Sequence, residues 1–206
     1  GATGFLGSSV VKLLAATGYD IHCLKRKSSN LFRLNGISSK VKFVELECID
    51  FTDYFRDYQI DYVIHCATNY GRLEKNPIDT IEANLLLPLK ILYAASISNV
   101  KSFINTDTIL DKRISHYSLS KNQFHSWLKT YSNNLICVNV KLEHFYGPGD
   151  DPSKFVAMML KEMLDNSEKI DLTAGEQKRD FIYIDDVVDA FKVILKHIPS
   201  KKNGFY

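Results

Sequence analysis

Long apolar runs are missing from this 206-residue chain. None approaches the ~20 residues that a membrane-spanning helix needs, and no secretory leader is visible, so a cytoplasmic protein without a membrane partner is expected. Charge of one sign is missing too. Lys and Arg total 26 against 24 Asp and Glu, a formal net charge of +2, which leaves no basic footprint for nucleic acid. Cysteine is sparse. Cys23, Cys48, Cys66 and Cys137 stand singly in apolar segments without a C-x-x-C pair, the pattern of buried reduced thiols and not of disulfides or a zinc site. The six histidines show no ligand spacing, and no metal is expected. What remains, 45% apolar and 24% charged, is an ordinary globular composition.

The chain opens directly on "GATGFLG", with no methionine or strand before it, and stops at "NGFY" soon after a helix. A fragment is expected, one that lacks the first strand of its sheet and part of its substrate pocket.

Apolar, β-rich runs alternate with helical patterns. Residues 20–26, 41–46, 61–67, 101–106 and 134–142 read as strands. Residues 5–18 carry helical apolar spacing and end at Gly18, and a second helix starts near Asn76 and Pro77, a cap and a first-turn proline. Alternation of this kind implies βαβ crossovers, hence a doubly wound parallel α/β sheet covered on both faces, Rossmann-like, over residues 1–147. Residues 148–206 are expected to form a small substrate-binding cap, with helices near 154–164 and 185–198 and short strands at "KIDL" and "RDFIYI".

In "GATGFLG", Gly1, Gly4 and Gly7 precede the first helix, with Phe5 and Leu6 between them. Glycine lets backbone approach a ligand closely, and the open amides of a helix N-terminus favour a pyrophosphate. A glycine-rich turn without a ligand explains the same letters. The next strand ends on Lys25 and Arg26, where dinucleotide folds that prefer NAD carry a carboxylate for the ribose and a basic residue accommodates the phosphate of NADP. NADP(H) is therefore preferred, with NAD(H) the alternative. At later strand ends, Asp50 suits an adenine amino group with Phe51 beside the ring, and the small Ala67 and Thr68 leave room for a dinucleotide. Capping explains Asp50 alone, and packing explains Ala67 alone.

"SHYSLSK" puts Tyr117 and Lys121 four residues apart on one helix face. Either this is a surface pair, or the lysine is there to make a phenol with an ordinary pKa of about 10 acidic enough for chemistry.

Together, "GATGFLG", "DFTD", "IHCAT", "INTDT", "YSLSK", "FYGPGD" and "RDFIYIDDVVDAF" resemble, in order and spacing, the extended short-chain dehydrogenase/reductases of the NAD(P)-dependent epimerase/dehydratase branch. Within it the chain looks most like 4-ketoreductases of the CDP-abequose or CDP-paratose synthase type, which act in O-antigen sugar synthesis. The resemblance implies that Tyr117 exchanges a proton with the sugar oxygen, that Lys121 tunes it and orients the nicotinamide ribose, and that Thr106 donates to the same sugar oxygen, with Thr108 in reserve. Asn84, expected at the cofactor, falls where the family often has an asparagine in the long helix, and a helix-facing polar contact explains it equally. His144 and Arg179 stand at positions of nucleotide-sugar contact, although His144 and Lys141 replace the family's usual asparagine and arginine; an ion pair with Asp180 is the plainer reading of Arg179. Dehydratases of this pattern carry a glutamate where this chain has Thr108, which leaves reduction or epimerisation. The expected activity is NADPH-dependent reduction of a 4-keto nucleotide-diphosphate deoxysugar. The alternatives are an NAD-dependent nucleotide-sugar 4-epimerase and a dinucleotide-binding sensor that lost the chemistry. The resemblance implies a homodimer, since in similar proteins the apolar outer face of this helix, here with Trp127 and Tyr131, forms a four-helix bundle; internal packing explains the same face.

Overall fold

The computed structural model describes residues 1–72 and 76–206. Helix α1 (Phe5–Ala16) follows the glycine turn and is succeeded by β1 (His22–Lys25), β2 (Lys42–Glu45), α2 (Phe51–Asp57) and β3 (Tyr62–His65). Helices α3 (Pro77–Ile81) and α4 (Leu87–Ser96) are joined by a π-helical turn at Glu82–Leu86, and β4 (Ser102–Thr108), α5 (His116–Thr130) and β5 (Ile136–Leu142) complete the second half. Then come β6 (His144–Tyr146), α6 (Phe155–Leu164), β7 (Phe181–Tyr183), α7 (Ile184–His197) and β8 (Gly204–Phe205).

Every strand pairing is parallel, as the crossovers require: β1 with β2, β3-β4-β5-β8 in one sheet, and β6 with β7. Alternation along β4 sorts its side chains between two cores. Ile104 packs with Val10 and Leu14 of α1 and with Val187 and Phe191 of α7, whereas Phe103 packs with Leu92 and Ala95 of α4 and Phe124 and Leu128 of α5. The sheet is thus covered on both faces. Cys23 of β1 lies in the same core as Ile104, which ties the β1-β2 pair to the larger sheet.

The boundary expected at residue 147 does not divide the core. Ile184, Val187, Phe191, Leu195 and Ile198 are buried against α1, and β8 adds a strand to β5. Apolar spacing of one strong stripe along α7 leaves it no other place than the sheet. "KIDL" forms no strand, and residues 165–180 are irregular and mostly exposed, because Lys169 and Asp171 pair with each other on the surface and no neighbouring strand takes up their backbone. Cys23 and Cys137 are buried and Cys66 is half-buried, but Cys48 is exposed at the end of a short 3-10 turn, against expectation. No helix among the described residues is long and apolar enough to cross a membrane. Tyr93, Ile97, Leu119 and Trp127 remain exposed on the outer faces of α4 and α5, while Tyr131 packs against the inner core.

Candidate active site

The glycine turn is wedged between α1 and the end of β3. A Cβ added to Gly1 would stand 2.2 Å from the carbonyl carbon of Cys66, and one added to Gly7 would stand 2.0 Å from the carbonyl oxygen of Gly1. Close approach of three backbone segments explains why glycine alone fits. Helix α1 has no side-chain cap and no acidic residue in its first turn. Its amides at Phe5, Leu6 and Gly7 therefore keep their attraction for an anion. Ala67 and Thr68 follow β3 directly beside this turn. A dinucleotide pyrophosphate fits that cradle.

The neighbouring cofactor candidates divide. Asp50 caps α2, accepting from the Asp53 amide at 3.0 Å through Oδ1, and stays exposed. Phe51 is half-buried with its ring 6.3 Å from that of Phe55. Lys25 corrects the reading of the basic cluster: its ammonium lies 3.1 Å from Glu45 and its side chain is only 13% exposed, so its charge is already answered by the strand beside it. Arg26 is exposed beyond the end of β1 and carries no such pair among the described residues. Asn84 is likewise corrected. It is fully buried in the π turn, accepting from the Asn69 amide at 2.8 Å and donating to the Asn69 carbonyl at 2.7 Å and to Ser120 at 3.2 Å. Its amide is consumed in clamping the loop after β3 to α5, and a π bulge supplies the extra backbone length needed to aim it there.

At the other end of that loop sits Tyr117. Ser115 and Ser118 form a reciprocal capping box that starts α5 and fixes the direction of its first turn. The Tyr117 ring packs against Tyr70, with centroids 5.1 Å apart, beside a cleft of about 700 Å³ bounded also by Thr80, Lys112, Ser115 and Gln123. The Thr108 side chain favours the ionised form of the Tyr117 hydroxyl. The Thr108 oxygen accepts from the Leu110 amide at 3.2 Å. Burial pushes the Tyr117 phenol up to about 12, with Tyr70 adding to the shift and the Thr108 side chain opposing it.

Two members of the expected triad are arranged otherwise. Thr106 points its hydroxyl at the His65 carbonyl, 3.1 Å away, and is 6% exposed, so its proton is spent inside the sheet. Strand alternation puts 106 and 108 on one side, and only the second lies past the rim of β3, where no carbonyl competes for it. Lys121 shares the face of α5 with Tyr117, but its ammonium donates to the Thr106 carbonyl at 2.5 Å and is 1% exposed. The tuning expected of Lys121 is therefore not what acts on the phenol here. Burial instead lowers Lys121 itself to about 8.

That shift fixes a stability prediction. A lysine lowered to about 8 in the fold and near 10.5 in the unfolded chain leaves the unfolded state holding more protons between those values. Its penalty is full below pH 8 and is relieved as pH rises. Urea unfolding should therefore gain about 1 kcal/mol from pH 8 to pH 9 relative to Lys121→Met, in which the titrating group is gone. An equal change in both proteins would refute the assignment.

His144, on β6, is exposed, 3.4 Å from Glu143 and packed on Phe181. Arg179 is exposed and its guanidinium donates to the Lys178 carbonyl at 3.2 Å; the Asp180 pair is not formed. Neither is joined to the Tyr117 cleft among the described residues. Tyr70 and Arg72, whose guanidinium lies 5.1 Å from the Tyr70 ring centroid, were not singled out by any motif or periodicity.

A model of the NAD dependent epimerase/dehydratase family matches residues 1–205. CDP-abequose synthase from Salmonella muenchen is 35% identical over 206 residues, spanning 95% of this chain and 68% of its own. UDP-glucose 4-epimerase from Mycolicibacterium smegmatis is 26% identical, spanning 93% of this chain and 70% of its own. Among solved structures, UDP-glucose 4-epimerase from Thermotoga maritima with UDP-glucose has a TM-score of 0.81 at 25% identity, covering 95% of this chain and 72% of that one. UDP-glucuronic acid 4-epimerase from Bacillus cereus in complex with NAD has a TM-score of 0.83 at 23% identity, covering 98% and 72%, and shares the fold. The family model spans nearly the whole chain, and this chain belongs to the NAD dependent epimerase/dehydratase family.

Proposed function

We propose that this protein reduces the 4-keto group of a nucleotide-diphosphate deoxysugar, CDP-linked, with NADPH as reductant. One observation carries the reading: Tyr117 lines a cleft with its phenol pushed up to about 12 by burial, so it holds its proton throughout the neutral range and is set to give it to a sugar oxygen. Gly1, Gly4 and the amides of Phe5, Leu6 and Gly7 would hold the cofactor's pyrophosphate, with Asp50, Phe51, Ala67 and Thr68 along the adenosine and nicotinamide paths. Bound there, the cofactor supplies the hydride. Thr108 orients the acceptor oxygen against Tyr117, and Lys121 keeps the turn of β4 in place through the Thr106 carbonyl. The CDP linkage rests on likeness to CDP-abequose synthase, 35% identical.

Glu45 favours a second reading. Its carboxylate neutralises Lys25 at the strand ends where a ribose would lie, and leaves Arg26 as the cation for a 2′-phosphate. An acid at that place also suits NAD, and an NAD-dependent 4-epimerase then follows. The two are separated by assaying CDP-, UDP- and dTDP-linked 4-keto-6-deoxyhexoses for NADPH oxidation, alongside UDP-glucose for conversion to UDP-galactose with NAD. NADPH consumption with a CDP-linked ketone is the expected result. Epimerisation without net NADPH consumption would overturn the reductase.

A further inference from the structure

The turn between β6 and α6, residues 147–154, is fastened to the surroundings of the cofactor cradle at two points that the proton transfer does not use. Gly147 roots it in the core: a Cβ there would stand 2.5 Å from the Ile184 side chain at the start of α7. At its far end Lys154 opens α6. That is a poor place for a cation, because a helix N-terminus carries partial positive charge and α6 has no side-chain cap to offset it. Local preference therefore does not explain Lys154. Its neighbours do: the ammonium lies 4.5 Å from the Phe145 ring centroid and 5.3 Å from that of Phe5, and the two rings stack 5.9 Å apart with their planes 11° from parallel. Phe5 is the first residue of α1, so the lysine rests on the turn whose amides face the pyrophosphate seat.

Asp150 holds the lysine there. Its side chain is 2% exposed, and its Oδ1 lies 2.8 Å from the Lys154 ammonium and accepts from the Asp151 amide, also at 2.8 Å. A carboxylate withdrawn this far from water is costly without a cation beside it, which ties Lys154 to the turn. The second fastening is Arg33, in the 3-10 stretch Phe32–Lys40 that follows β1. Its Nη2 donates to the Gly149 carbonyl at 2.9 Å, where the backbone bends through φ +84°, a conformation open to glycine. One fastening thus grips the N-terminus of α1 and the other the segment beyond the end of β1. Those are the two places between which a dinucleotide runs from its pyrophosphate to its adenosine. Both are rim contacts, the Arg33 bond exposed to solvent, and contacts of that kind open at far lower cost than a core.

We propose that residues 147–154 are a strap across the cofactor cradle, fastened by Lys154 on Phe5 and by Arg33 on Gly149, whose opening admits and releases the dinucleotide. The proposal rests on the reading of the glycine turn as the cofactor's seat. Since the Lys154 charge is already answered by Asp150, the strap acts on the path to the seat and not on the affinity for what sits there. A reductase exchanges its dinucleotide at every turnover, so the strap bears directly on release.

Stopped-flow fluorescence tests it by following association of NADPH, and separately of NADH, and the displacement of each by an excess of its oxidised form. Lys154→Met keeps an apolar stem against the rings and removes the charge; Arg33→Met removes the bond to Gly149 together with an Nε that is buried without a partner among the described residues. In each variant both rate constants should rise about tenfold, the worth of one partly buried cation–ring or charge-assisted contact, while Kd stays within about threefold, because a gate that opens more readily speeds entry and exit alike. Lys154→Arg keeps a cation that stacks on the rings and should fall within about twofold of the parent. A second readout needs no dinucleotide. The Lys154 ε-methylene protons, identified by their loss in Lys154→Met, should resonate upfield of the other lysines under the ring currents of Phe5 and Phe145, and Asp150→Asn should return them to the ordinary position. Unchanged rates in Lys154→Met and Arg33→Met, or ordinary Lys154 shifts in the parent, would overturn the strap. So would faster dissociation alone with Kd weakened in step, the mark of a side chain that touches the dinucleotide itself. A parent that binds neither NADPH nor NADH would overturn the cradle and the strap together, whereas one that binds either with rates blind to these substitutions overturns the strap alone.

Discussion

Replacing Tyr117 with phenylalanine is expected to reduce turnover by 10²- to 10⁴-fold, the usual worth of a positioned proton donor, while NADPH binds within about twofold of the parent. The substitution isolates the oxygen. Phenylalanine keeps the ring that packs 5.1 Å from Tyr70 and the wall of the cleft, and the Leu110 amide still has Thr108 to bond, so little of the fold depends on the hydroxyl. What disappears is the proton. Burial pushes the Tyr117 phenol up to about 12, so in the parent the acid form persists across the working range, and loss of activity on the alkaline side should come from another group. Lys121, lowered to about 8, is the candidate, because it holds the Thr106 carbonyl two residues from Thr108. The kcat profile should therefore fall with a midpoint near 8 and not near 12. Stopped-flow or steady-state NADPH oxidation gives both numbers, and a Tyr117→Phe variant within threefold of the parent would remove the phenol from the mechanism.

The sheet, its crossovers and the helix bearing Tyr117 were legible because each depends on a local period. The runs at 41–46, 61–67 and 134–142 are short and β-branched, and residues 5–18 repeat apolar positions at helical spacing, so each element is fixed by the faces it must bury. The glycine cradle was legible for a related reason: sterics that only glycine meets leave a mark in the letters. Thr106 and Thr108 show where that legibility ends. Both have the same side chain on the same side of β4, and the choice between them turns on whether the adjacent strand still offers a carbonyl, which it does beside 106 at His65 and does not beside 108. Lys25 failed in the same way. Its partner Glu45 is twenty residues away in sequence and directly opposite across a parallel ladder, and register of that kind has no local signature.

Gly7→Ala tests the cradle, and here two effects of opposite sign compete. Gly7 sits in the first turn of α1, where alanine is intrinsically the better helix residue by about 1 kcal/mol. Against this, the new Cβ would stand 2.0 Å from the Gly1 carbonyl oxygen and 2.7 Å from its carbon, both backbone atoms with no rotamer to escape into. The turn cannot back away. On its far side Gly1 already lies so close to Cys66 and Ala67 that a Cβ there would be 2.2 Å and 2.3 Å from their backbone. Relief must come from sliding the turn along the end of β3, at a cost of roughly 3 kcal/mol of the kind seen on overpacking a filled core. Where that displacement spoils the alignment of the Phe5 and Leu6 amides, the same energy appears as about a hundredfold weaker NADPH binding. Gly36→Ala is the matched control. A Cβ at Gly36 meets nothing within 4 Å and its φ is not in the left-handed region, so it should be neutral or stabilise by up to about 1 kcal/mol through the unfolded chain. Fluorescence titration of NADPH and urea unfolding, run on both variants, compare steric cost with helix propensity directly. If Gly7→Ala behaves like Gly36→Ala, the turn does not press on α1 and the cradle is not what holds the pyrophosphate.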